Sequence, residues 1–170
     1  MSAQEGANAP GPDLRAKATE GGARTAGLDP AAIAAARAVI RARAPRYVEG
    51  LAADLAALEA ELGILGEQGD AAALAAIARR ARAMRAQGTT YGYALVTRLA
   101  GSLYDFCGRA PDRSRGQAAG SDDEVEVIEM HIQALKAVAA GGMTGDGAEA
   151  GRELAHAVEA AVRAAAEARK

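Results

Sequence analysis

Residues 70–107 read DAAALAAIARRARAMRAQGTTYGYALVTRLAGSLYDFC. Leu74, Ile77, Ala81 and Met84 recur at three- and four-residue intervals, which places them on one face of an α-helix. Asp70 precedes that run, where its carboxylate can accept from the unpaired N–H groups of a first helical turn. The spacing predicts a helix over 71–87. Gly88 and Gly92 bracket a Thr-Thr-Tyr turn, and Leu95, Val96, Leu99, Leu103 and Phe106 then repeat the helical interval to about Cys107. Two amphipathic helices joined by so short a turn read as an antiparallel hairpin.

The same grammar extends outward in both directions. Toward the N-terminus, Leu51, Leu55, Leu58 and Leu62 mark one buried face of a helix over 46–63, expected to end among Gly63, Gly66 and Gly69. Ahead of it, Asp29-Pro30 is an N-cap followed by proline at a first helical position. That additional N-terminal helix carries Ile33, Ala36, Val39 and Ile40, and Pro45 is expected to stop or kink it. Residues 1–28 lack apolar periodicity and read as a disordered tail. Toward the C-terminus, 108–120 (GRAPDRSRGQAAG) reads as a polar linker. Ser121 and Glu124 form a capping box opening a helix over 122–140, with Val125, Ile128, Ile132, Leu135 and Val138 on its apolar face. The turn GGMTGDG (141–147) leads to a last helix over 148–168, lined by Leu154, Val158, Ala161, Val162 and Ala165. Residues 29–170 therefore read as one all-α bundle.

Composition agrees. Among 170 residues there are 48 alanines, one Phe and no Trp, and aromatic residues make up 3%. Strands favour β-branched and aromatic side chains, so this content argues against an all-β fold, whereas alanine is the best helix former. The net charge of −2 indicates no nucleic acid or anionic membrane as partner. The one cysteine, Cys107, lies in an apolar helical pattern and reads as a small hydrophobe. No run is long and apolar enough for a membrane span, and no secretory signal opens the chain, so a cytoplasmic location is expected.

The chemistry turns on 81–93, ARAMRAQGTTYGY. Ala81, Met84, Arg85, Gly88, Tyr91 and Gly92 match the pattern around the active histidine of histidine-containing phosphotransfer (HPt) domains, which this stretch resembles. Gln87, Thr90 and Tyr93 are similar to residues of small stand-alone members of that family. The resemblance covers roughly 81–107. It implies an antiparallel four-helix bundle acting in two-component phosphorelays, with a response-regulator receiver domain or a histidine kinase as partner. One position departs: Arg82 stands where the family carries its phospho-accepting histidine. An imidazole nitrogen can attack an aspartyl phosphate, whereas a guanidinium stays protonated and offers no suitable lone pair. The family's glycine four residues on is Ala86, still small.

Helical geometry puts Arg82 on the outer surface with Ala75, Arg79 and Ala86, about 120° from the centre of the apolar stripe. The resemblance then implies a partner-binding face of Arg79, Arg82, Arg85 and Ala86 beside Tyr91 and Tyr93, in a protein that is not an enzyme. The solvated face of an ordinary helix is the bland alternative for these arginines. His131 reads as a hydrogen-bonded histidine at the core edge, and His156 as exposed. Either as an active phosphoacceptor is one alternative function, and a structural helical bundle outside phosphorelays is another. Glu153-x-x-His156 matches half of a di-iron helix motif, but the second half is missing because Ile128 stands three residues before His131. No metal or cofactor is expected, and the acidic run Asp122, Asp123, Glu124 and Glu126 is accounted for by the helix dipole.

Overall fold

The computed structural model describes residues 29–108 and 119–168. It is an all-α bundle: α1 (Pro30–Gln68), α2 (Ala71–Gly88), α3 (Ala94–Gly108), α4 (Asp122–Ala140) and α5 (Ala148–Ala168), with a 3-10 turn over Thr89–Tyr91. No strand occurs among the described residues. The expected tail, 1–28, and most of the expected linker, 109–118, lie outside them.

Helix α1 differs from expectation, because the two helices expected on either side of Pro45 are one. Proline removes one backbone donor and crowds the carbonyl four residues back. Pro45 is solvent-exposed, so water can reach the carbonyl it leaves unpaired, and the helix continues. Gly63 and Gly66 do not end it either. Leu65, fully buried, draws the extra turn into the core, and the helix stops at Gly69, whose φ of +62° suits glycine.

The described residues fall into two units that divide at Val39 and Ile40. In the first, the Asp29 carboxylate accepts from Ala31 N (3.0 Å) and its carbonyl from Ile33 N, the cap expected of Asp-Pro. Val39 is 54% exposed.

The second unit, from Ile40 onward, is tied together by contacts that give each helix its direction. Asp54 meets Arg80, and Tyr47 stacks on Tyr91, so α1 and α2 run antiparallel. Gly88 abuts Thr97 while Arg85 lies beside Gly101 and Asp105, which makes α2 and α3 the expected antiparallel hairpin. His131 bonds Ser102 across α3 and α4. Lys136 pairs with Glu59 (2.5 Å), and Val125 contacts Gly66, which sets α4 antiparallel to α1. These four form a ring with α2 and α4 on its diagonal. Helix α5 packs outside, along α3 and α4: Arg98 donates to Glu159 from both Nε (2.9 Å) and Nη2 (2.6 Å).

The core is the sum of the apolar stripes. Leu51, Leu55 and Leu58 of α1, Leu74, Ile77 and Met84 of α2, Leu99 and Leu103 of α3, and Ile128, Ile132 and Leu135 of α4 belong to one buried cluster. With so many alanines the helices can approach closely, but each residue buries modest area. Glycine permits a tight seam at the start of α5. Gly147 and Gly151 form a socket for Leu95, and a Cβ at Gly147 would lie 2.8 Å from its Cδ2. The turn holding Gly147 is pinned to the hairpin by Gly145 N to Gly92 O (2.6 Å) and Leu95 N to Gly145 O (2.9 Å).

The capping box at Ser121 takes a different form from the one expected. The Ser121 side chain makes no cap bond. The buried Glu124 reaches back past it to accept from Gly120 N (2.8 Å). The Ser121 carbonyl takes the first helical N–H groups.

Candidate functional site

Helix α2 divides its arginines by angle around the helix. With Ile77, Ala81 and Met84 inward, Arg80 faces α1 and donates to Asp54 at 2.8 Å, both side chains about one-third exposed. Arg85 faces α3, where its stem lies over Gly101 and its guanidinium is 3.8 Å from Asp105, both side chains half exposed. Arg79, Arg82 and Ala86 are exposed on the outer surface. Asp70 starts the helix as expected, accepting from Ala72 N at 2.7 Å.

The hairpin's tip is held by one threonine. Thr97 Oγ1 accepts from Thr89 N (2.8 Å) and from the Thr89 hydroxyl (2.9 Å). Gly88 is part of the same contact: a Cβ there would lie 2.6 Å from Thr97 Oγ1 and 2.8 Å from the Tyr93 carbonyl. Gly92, at φ +87°, turns the chain into α3.

Tyr91 and Tyr93 turn toward α1. The Tyr91 ring stacks on Tyr47 at 4.7 Å between centroids, and Tyr93 meets the same ring at 5.5 Å. The tyrosines thus join a cluster with Tyr47, Asp54 and Arg80, whereas Arg85 belongs to the α2–α3 seam and Arg82 to the outer surface. Burial first, then the nearby Asp54 carboxylate, pushes the Tyr47 phenol up to about 12. Tyr47 lies outside the expected site, although it stands four residues ahead of Leu51 and extends that helix's buried stripe by a turn.

His131 is buried more deeply than a core-edge position. Its ring is fully covered, with Nδ1 bonded to the Val127 carbonyl (2.7 Å) and Nε2 to the Ser102 hydroxyl (3.0 Å). A carbonyl only accepts, so Nδ1 carries the proton and Nε2 accepts from Ser102. The remaining lone pair is engaged and out of reach of a phosphoryl donor. His156 is exposed as expected, its side chain 70% open and 3.8 Å from Glu159. Glu153 is also exposed, and among the described residues no group of three or more His, Cys, Asp or Glu side chains is placed to hold a metal ion. Among the same residues no helix is long and apolar enough to cross a membrane. Cys107 is buried, as a small core hydrophobe should be.

Comparison with protein-family models, with curated proteins and with solved structures gave no match.

Proposed function

We propose that this chain is an HPt-like docking module of two-component phosphorelays, binding a response-regulator receiver domain or a histidine kinase without carrying phosphate itself. One observation bears most of the weight. Arg82 is exposed on the outer surface of α2, at the point of the motif where the resembled family places its active imidazole. An arginine there cannot take a phosphoryl group, yet it can pair with the carboxylates of a receiver's acidic phosphorylation pocket. Arg79 and Ala86 extend the same surface, and Arg85 stands at its α3 edge. Tyr91 and Tyr93, packed on Tyr47, serve this face by fixing the end of the hairpin.

Binding of receiver domains to the purified chain, measured by calorimetry, tests the proposal. Micromolar binding is expected, and Arg82→Glu should weaken it at least about tenfold. Unchanged binding by that variant, or binding of neither a receiver domain nor a histidine kinase, defeats the proposal. The Arg82→His variant is a sharper probe: it should gain acid-labile phosphate from a phosphorylated receiver, while the parent chain stays unlabelled. A second reading, phosphotransfer by His156, draws on the openness of that ring. Label on the parent chain that His156→Ala removes would establish it instead.

A further inference from the structure

We propose that the groove between α4 and α5 is a docking site for a basic amphipathic helix of a partner protein. Its floor is apolar, formed by Met130, Ala134, Leu154 and Val158 around a depression of about 460 Å³. It continues along the same helix pair over Val127 and Ala161. From Asp123 to Ala134 the groove follows about three helical turns, roughly 16 Å, which matches a short helix laid lengthwise.

Two features select the occupant. Ala157, Ala161 and Ala164 line the α5 wall at helical spacing, and side chains this small let a third helix approach to about 8–10 Å between axes. The α4 rim carries Asp123, Glu126 and Glu129, and none of the described residues lining the groove is basic. An apolar stripe flanked by Lys or Arg satisfies both, because long basic side chains cover apolar surface with their stems and reach carboxylates with their heads. The rim repels phosphate, so a nucleic acid or an anionic membrane is disfavoured. Helix α4 lies diagonal to α2 in the ring, so this site stands apart from the Arg82 surface and does not depend on its proposed role.

Anisotropy of a fluorescein-labelled 14-residue peptide tests the site, with leucines at i, i+3, i+4 and i+7, arginines elsewhere, and the full chain as binder. Saturable micromolar binding is expected, with none for the same peptide carrying glutamate in place of arginine. Glu126→Lys with Glu129→Lys should weaken binding at least about tenfold, and Ala157→Phe, which fills the trough from an exposed position, should weaken it without changing net charge. Glu49→Lys with Glu149→Lys matches the first pair's change in charge on exposed positions elsewhere and should leave binding closer to that of the parent. Arg82→Glu, the variant that tests the receiver-binding proposal, should not reduce it. Equal losses in the two lysine pairs, indifference to Ala157→Phe, no saturation up to about 100 μM, or occupation of the groove by a second copy of the chain would each overturn the proposal.

Discussion

The His131 imidazole sits between α3 and α4 with both nitrogens bonded, and burial holds its pKa below the usual histidine value, partly offset by the Val127 carbonyl. Above pH about 6.5 the ring is neutral both folded and unfolded, so its contribution to stability is complete. As pH falls below that, the unfolded ring gains a proton that the folded one resists, and stability drops until the folded pKa is passed. Urea unfolding from pH 7.5 to 5.5 should show this decline, and His131→Gln should lessen it. Ser102→Ala leaves Nε2 without its donor and should cost about 1–3 kcal/mol at neutral pH. Tyr47 has the opposite sign. Its folded pKa of about 12 exceeds the unfolded value, so its contribution is complete below pH 10 and is lost between there and 12. Tyrosinate absorbance should show one phenol ionising late, and Tyr47→Phe should remove that step. The outward Arg82 was legible from helical angle alone. That Tyr91 and Tyr93 pack on Tyr47 and that His131 bonds Ser102 was not, because these partners come from other helices.

Among the helices, α1 separates local propensity from context. Gly50 and Gly63 lie within it, and a Cβ added at either would meet nothing within 4 Å, so Gly50→Ala and Gly63→Ala should each raise stability by about 0.5–1 kcal/mol. Gly88→Ala has the opposite effect, since its Cβ would press on Thr97 and the Tyr93 carbonyl, and should cost about 1–3 kcal/mol. Chemical denaturation of the three variants distinguishes a glycine that only loosens a helix from one that a seam requires. Expected and observed bounds of α2, α4 and α5 agree closely, because Asp70, Ser121 and the Gly-rich turn 141–147 mark them locally. Pro45 and Gly63 are local signals too, but packing of Leu51, Leu55, Leu58 and Leu65 outweighs them.

At the scale of the molecule, the described residues of the second unit share one core, and Leu135, fully buried in it, is a direct test of their cooperativity. Leu135→Ala should cost about 2–5 kcal/mol, and far-UV dichroism and tyrosine fluorescence should report the same transition, since the Tyr47 cluster and α4 unfold together. Arg98 and Glu159 join α5 to α3 at an exposed position, so a double-mutant cycle should find less than about 1 kcal/mol between them. The linear pattern of apolar residues by itself determined the helical class, most helix bounds and the outward setting of Arg82, because each depends on residues three or four apart. Only the tertiary structure decided that α2 and α4 are diagonal, that Tyr47 receives the hairpin's tyrosines, and that α4 and α5 leave an acid-rimmed trough. Those depend on residues distant along the chain, and their contacts are set by how the apolar stripes pack together.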